Sequence, residues 1–550
     1  MSEQSKKQSF LGGAAILAGA VAVVKVIGAL YKLPLNNILG DVGKTYFQTA
    51  YEIYNVLLTV STAGLPLAIS KLTSQAHARG RENEKRKIFR TAIWLFFALG
   101  LIGSCLMFFG AQGLADFQRN SMAAAPIRAL APAVFCVCLL ACMRGYTQGQ
   151  GNMGPTAVSQ VLEALCKLGV GLPLAWYILK KTQEAGNAAQ LAAGSDGMEN
   201  VAAGAIFGVT VGTILSMVFL ILYLLRHRDN TPSDDVPRSS GYLLRRILAI
   251  GVPITLGNCA MSIITMIDTK IILGRLQSGL GLTEVAASAL KGQYSYAMDM
   301  LNMVASFVYP VTMSLIPFAA AALAQGDKRG ASRTVNSAFR VLALLALPAG
   351  VGLSVLSTPI MVLVLPAQRE GALAAGPHLK ILGIACIFVC LMILTNAILQ
   401  TYGKEHLPIL TVIVGGVVKI VMNYILVGNP NIGINGAPWS TLCCYGVIAG
   451  LNLFFVWKYS PRKPHYFRLF ARPVFASALM GLAAWAVCSL VGKLLSGHSA
   501  YGANAIATLC GILAGVAVYG VLVIALGLLR ADDVRNIRGG QKLIRLLHLR

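Results

Sequence analysis

Runs of twenty or more mostly apolar residues recur from one end of the chain to the other, and no other feature narrows the possible folds as far. The hydrocarbon core of a bilayer is about 30 Å thick, and a helix needs about 20 apolar residues to cross it. By that measure fourteen spans are predicted, at about 10–33, 46–70, 90–111, 127–147, 155–179, 201–225, 246–274, 292–316, 336–358, 379–401, 408–427, 437–457, 470–492 and 503–529. Inside lipid every backbone N–H and C=O must be satisfied within the segment, so each span is read as a helix. Only 12% of the 550 residues are charged, against roughly 25% in soluble domains. The deficit runs along the whole sequence, which excludes a soluble domain on a single anchor. The first run follows Lys6 and Lys7 in the manner of a secretory leader, but it is too long for one and is read as a retained helix.

The formal charge of +25 raises the question of nucleic acid. The Lys and Arg form no stripe with interleaved aromatics, so that class is set aside. They gather in alternate loops, which is how a membrane protein fixes its orientation. The loop 71–90, with Arg79, Arg81, Lys85, Arg86 and Lys87, votes most strongly for the cytoplasmic side. Both termini are then expected in the cytoplasm of a multi-pass plasma-membrane protein.

An internal repeat organises the spans. GYTQGQG at 145–151, before Pro155, echoes AILQTYG at 397–403, before Pro408. Glu52-x-x-Asn55 matches Asp299-x-x-Asn302, and Ile38-Leu39-Gly40 matches Ile272-Leu273-Gly274. The predicted fold is an all-α integral membrane protein of fourteen transmembrane helices. Two six-helix lobes would be parallel repeats with a shared site between them, and two further C-terminal helices would follow. The expected divisions are 1–230, 231–460 and 461–550, with the Arg-, Asp-, Pro- and Ser-rich stretch 226–246 as the linker between lobes.

Enzymatic signatures are weak. Gly149 to Gly154 satisfies the spacing of a dinucleotide loop, but it follows an apolar span where a strand is required, and it is rejected. No Walker loop, metalloprotease motif or nucleophile elbow is present, so no enzyme is expected. The twelve cysteines lie in apolar segments without paired ligand spacing and read as small packing residues, with no metal site. The seven histidines fall in predicted loops or tails. Pro66 and Pro310 occupy matching places in the two lobes and are hinge candidates. Gly204, Gly208 and Gly212, four apart, form a close-packing helix face.

Ionisable residues inside the spans carry the functional signal, because charge at membrane depth is expensive. Lys25, Lys167 and Lys419 each fall roughly 17–22 Å along their helix from its cytoplasmic end, at a rise of about 1.5 Å per residue. Lys167 has Glu163 one turn before it, and the pair can neutralise itself. Lys25 and Lys419 have no acid at those positions and are read as facing a cationic cavity, the alternative being a salt bridge between lobes. Asp268 and Lys270 are near a helix end, where snorkelling would satisfy them.

The segments Lys25–Pro34 (KVIGALYKLP), Ile38–Asp41 (ILGD), Ala63–Lys71 (AGLPLAISK) and Arg144–Glu163 together resemble the polysaccharide-export branch of the multidrug/oligosaccharidyl-lipid/polysaccharide (MOP) flippases. Within it the chain is similar to the group of stage V sporulation protein B and MurJ-like lipid II flippases of Gram-positive bacteria. The resemblance implies movement of an undecaprenyl-pyrophosphate-linked oligosaccharide, such as lipid II, from the inner to the outer leaflet by alternating access. It also implies that cations in helices 1, 2 and 7–8 hold the pyrophosphate, which maps onto Lys25, Lys71 and Lys270. The last two helices would border the lipid tail, which suits the almost uncharged stretch 473–529. The expected substrate site is Lys25, Lys71, Lys419, Lys167 and Lys270, with Glu52, Asn55, Glu163, Gln160, Asp268, Asp299, Asn302 and Asn423 as polar partners. A monomer acting on a lipid-linked oligosaccharide among membrane lipids is expected, without a cofactor. Coupling to sodium or protons is left open, since Lys419 and Asn423 stand where some family members place an acid. Two other readings are an organic-cation antiporter of the same superfamily and a sporulation or cell-wall assembly protein that transports nothing.

Overall fold

A computed structural model of the chain describes residues 3–184, 197–227, 231–308, 326–460, 462–495 and 500–528, with the side chains of 3–16 and 18 left out. Every regular element among them is helical. Twelve helical runs are long and apolar enough to cross a membrane, so the chain is a multi-pass membrane protein. The difference from fourteen has two sources. Gly19–Ala78 counts as one run where two spans were expected, and the expected span 292–316 extends beyond the described residues. Pro310 and the basic tail also lie outside them.

Contacts gather the chain into two units, Met1–Gly292 and Gln293–Arg550. The first begins with α1 (Glu3–Thr62), in which the backbone leaves helical geometry at Gly40 (φ 62°, ψ −175°). That combination is open to glycine alone; the break falls at Gly40 of the repeated Ile-Leu-Gly signature, whereas its counterpart Gly274 lies inside the helix Ser240–Leu280. The expected loop 34–45 is helical on both sides of this single break. A second interruption follows α1, and α2 (Leu65–Ala78) starts directly before Pro66. Pro66 is therefore not in a helix interior. It occupies the first turn of a new helix, where its missing N–H has no partner to lose. The Gly64 amide just before it donates to Thr255 Oγ1 at 3.2 Å.

The remaining helices of this unit are α3 (Glu82–Phe109), α4 (Ala111–Phe117), α5 (Ala124–Gly149), α6 (Gly154–Cys166), α7 (Leu172–Glu184), α8 (Met198–Arg226) and α9 (Ser240–Leu280). The next, α10 (Glu284–Ser306), runs across the division between units. Helix α5 is the central post. It packs on α1, α2, α3 and α8, and Tyr54, Ile69, Phe96, Leu130 and Val134 are buried around it. Large apolar side chains such as Trp94, Phe109 and Leu222 remain exposed. In lipid that costs nothing, because the surrounding chains are equally apolar.

The stretch expected as a linker is tied down along 231–238. Asp235 accepts from the amides of Asn83 and Glu84, each at 2.9 Å, and Asn83 Nδ2 donates to the Ser233 carbonyl at 2.6 Å. Arg86 donates to the Thr231 carbonyl at 2.7 Å. A carboxylate about 150 residues away in sequence thus caps the first turn of α3, whose own preceding residue supplies no side-chain cap.

The second unit holds α11 (Lys328–Val355), α12 (Ser357–Val364), α13 (Arg369–Thr401), α14 (His406–Leu426), α15 (Gly436–Tyr459), α16 (Tyr466–Leu494) and α17 (Ala500–Ala525). Three helices are joined by buried polar bonds: Thr411 donates to Asn452 at 2.8 Å, and Asn452 donates to Asn396 at 2.7 Å. His378 corrects the expectation that all histidines lie in loops. The candidate span begins at Arg369 rather than 379, so His378 is buried within α13, 3.1 Å from Asn435 Oδ1.

Candidate functional site

The most developed charged site in the first unit is built where α5 and α6 face the second half of α1. Glu163 on α6 is approached by Lys167 Nζ at 3.2 Å and by Arg144 Nη2 of α5 at 3.4 Å. Arg144 Nε also donates to Ser159 Oγ at 2.9 Å, and Ser216 Oγ of α8 donates to the Ser159 carbonyl at 2.9 Å. The i,i+4 pairing of Glu163 with Lys167 is the arrangement that helix geometry permits. Arg144, absent from the predicted site, turns a neutral pair into a cluster with two cations on one carboxylate. Side-chain exposures of 15%, 17% and 23% for Arg144, Glu163 and Lys167 leave the group half-open. Gln160 lies one turn before Glu163 on the same helix.

Two features hold this cluster in place. From Lys167 to Gly171 the helix widens into a single π turn, a form that recurs at functional sites. The small-residue face of α8 then admits the widened turn. A Cβ on Gly208 would stand 2.4 Å from the backbone of Gly171, and one on Gly212 would stand 2.9 Å from the Glu163 carbonyl. The glycine spacing thus places the backbone that carries Glu163 and Lys167 directly against α8. On the other side are aromatic residues of α1. Tyr51 stacks on Phe47 with ring centroids 5.7 Å apart and meets Tyr54 at 5.6 Å. Tyr31 and Tyr51 are close enough to Lys167 to interact with its charge.

The opposite face of α1 lines a separate polar pocket of about 240 Å³ with α9, formed by Glu52, Asn55, Thr59, Met261, Ser262 and Thr265. Thr59 and Ser262 hydroxyls are 3.0 Å apart, and Gln48 donates to Glu52 at 3.1 Å. Lys291 and Asp268, both buried, are the charged neighbours of Glu52. One helix therefore carries polar groups toward α9 and tyrosines toward α5 and α6.

The expected lysines of the first unit outside this cluster are not gathered here. Lys25 is exposed on the first half of α1 among Val23, Val26 and Leu30, and Lys71 is exposed on α2. Lys270 stands over the Phe117 ring at 3.4 Å from its centroid, so an aromatic face satisfies it in addition to any snorkelling. Lys419 and Asn423 of the second unit are buried on the face of α14 that includes Thr411 and Gly415, and Gly415 packs on α15. Asp299 is buried and Asn302 exposed on α10. Lys25 and Lys419 both interact within the folded chain.

Comparison with known proteins agrees with this architecture. Residues 10–322 match the family described as polysaccharide biosynthesis protein, and residues 253–425 match the MatE family. Three Bacillus subtilis proteins align over nearly the whole chain. The uncharacterized membrane protein YabM is 26% identical, covering 98% of this chain and 96% of its own. Lipid II flippase MurJ is 24% identical (96% and 97%), and stage V sporulation protein B is 23% identical (96% and 98%). Among solved structures, a lipid II flippase MurJ in an inward closed conformation superposes with a TM-score of 0.65 at 14% identity, covering 93% of this chain and 99% of that one. An inward-facing multidrug resistance MATE transporter gives 0.60 at 14% identity, covering 82% and 98%. Of these, MurJ is described as a lipid II flippase and the MATE protein as a multidrug resistance transporter.

Proposed function

We propose, from the premise that the chain belongs to the polysaccharide biosynthesis protein family, that it is a flippase for an undecaprenyl-pyrophosphate-linked oligosaccharide. Lipid II or a closely related cell-wall precursor is the cargo, moved from the inner to the outer leaflet by alternating access. The observation that carries this reading is the Arg144–Glu163–Lys167 cluster. Two cations on one carboxylate leave a net positive charge at membrane depth, half-open to its surroundings. Such a charge is costly in hydrocarbon unless water or an anion meets it, and a diphosphate headgroup is such an anion. Lys25 adds an exposed ammonium on α1. The fourteen-span, two-lobe arrangement with both termini in the cytoplasm accompanies this proposal. The acid-free stretch between Glu405 and Asp532 suits a polyprenyl chain lying along α16 and α17.

The MatE match over 253–425 favours a second reading, an organic-cation antiporter. That chemistry needs a carboxylate open to a cation, whereas Glu163 is already held by two of its own. Depletion of the protein in its host decides between them. On the flippase reading a polyprenyl-linked precursor accumulates on the cytoplasmic side, and Arg144→Gln with Lys167→Gln fails to relieve it. Unchanged precursor pools, together with fluorescent-cation efflux that Glu163→Gln abolishes, would establish the antiporter instead.

A further inference from the structure

A second cationic site lies wholly in the second unit. A pocket of about 220 Å³ is lined by Arg340 of α11, by Lys463 and His465 ahead of α16, and by Arg468 and Arg472 of α16, with Asn336 beside them. Among the described residues, no acidic side chain lines it. The sequence explains why. From residue 406 to residue 531 there is no Asp or Glu at all. Asp327, the acid at the start of α11, is engaged in capping that helix through the amides of Arg329 and Gly330. Lys463 is partly accommodated by the Trp457 ring, 3.9 Å from its centroid. Positive groups crowded into one cavity repel one another, and a bound anion relieves that.

What lies next to the pocket says which kind of anion. On α11 the residues four apart read Asn336, Arg340, Leu344, and on α16 they read Arg468, Arg472, Ala476. One turn beyond the cations, Leu344, Ala476 and Leu528 form a buried apolar cluster flanked by Leu522, Val523 and Leu526. Tyr519 crosses this level, donating to the Leu344 carbonyl at 3.1 Å. Both helices therefore change from cationic to apolar at the same height, as a bilayer does between its headgroups and its acyl chains. Basic residues at such a boundary attract anionic lipid, and arginine grips phosphate through paired N–H groups. We infer that this pocket binds the phosphate-bearing headgroup of an anionic membrane phospholipid, whose acyl chains run down the apolar faces of α11 and α16. The inference does not depend on what the protein transports.

The test uses the purified full-length chain in neutral detergent, titrated with dioleoyl-phosphatidylglycerol, dioleoyl-phosphatidylcholine or inorganic phosphate, and read by native mass spectrometry and thermal unfolding. Phosphatidylglycerol is expected to bind about tenfold tighter than phosphatidylcholine and to raise the melting temperature, with millimolar phosphate unable to displace it. Arg468→Gln with Arg472→Gln removes the preference, while Lys493→Gln at the far end of α16 keeps it. Equal binding of the two lipids, an unaltered preference in the double variant, or full displacement by free phosphate overturns the inference. Should the double variant fail to fold, Arg340→Gln in the same titration decides: a lost preference upholds the site and a retained one overturns it.

Discussion

Glu163 is the residue on which the charged cluster depends. Replacing it with Gln leaves Arg144 and Lys167 facing each other without compensation. Removing one partner of such a partly exposed pair costs on the order of 1–2 kcal/mol. Thermal unfolding in detergent should show a lower midpoint for Glu163→Gln and partial recovery when Lys167→Met is added, because one stranded charge then goes too. A double variant no more stable than the single would mean that Lys167 is satisfied elsewhere. The Glu163–Lys167 pair was legible because both residues lie on one helix. Arg144 was not, since no periodicity within a single span reports which side chain of a neighbouring helix will arrive opposite.

Helices α6 to α8 and the strap on α3 show what elements add. The spacing of Gly204, Gly208 and Gly212 announced a packing face, and that face receives the widened turn at Lys167–Gly171. The turn itself left no mark in the hydropathy pattern, because one extra residue in an apolar run does not change its composition. Gly208→Ala drives a methyl group into the Gly171 backbone and should destabilise the fold by about 1–3 kcal/mol. Gly446→Ala, with open space at its Cβ, should change the unfolding midpoint far less; equal losses would deny the close approach. The strap depends on pH. Desolvation works to raise the Asp235 carboxyl, but hydrogen bonds from Ser233 and from the Asn83 and Glu84 amides, with the charge of Arg81, outweigh it and hold it below its ordinary value. A depressed carboxyl contributes stability that is complete above the unfolded-state value and lost as pH falls through the folded one. Limited proteolysis at 231–239 should therefore be slow at neutral pH and accelerate only in acid below the usual carboxylate range. Asp235→Asn should be cleaved readily at neutral pH, and a cleavage rate that ignores both changes would show that the cap is immaterial.

Over the whole molecule, length and hydropathy were enough for the class of fold. They placed most spans within a few residues, but the repeated Ile-Leu-Gly signature marks a break only at Gly40 and not at Gly274. They failed where continuity crosses a short interruption, as in the run Gly19–Ala78, because a hydropathy window cannot tell a loop from a one-residue kink. Orientation follows from charge, and it can be measured. In a cysteine-free background, His77→Cys in the basic loop should resist a membrane-impermeant maleimide in intact cells and react after permeabilisation, whereas Lys180→Cys should react in both. Labelling of His77→Cys in intact cells would invert the topology.

The carboxylate that completes the first turn of α3 comes 152 residues after the amide it receives. At about 5–20 residues per second, the ribosome needs roughly ten to thirty seconds to synthesise that distance. During that interval α3 can already be in the bilayer with its leading amides open to water. Maturation of this end of the protein is then timed by translation, and a pause before residue 235 would prolong the stage at which the young chain is most easily attacked.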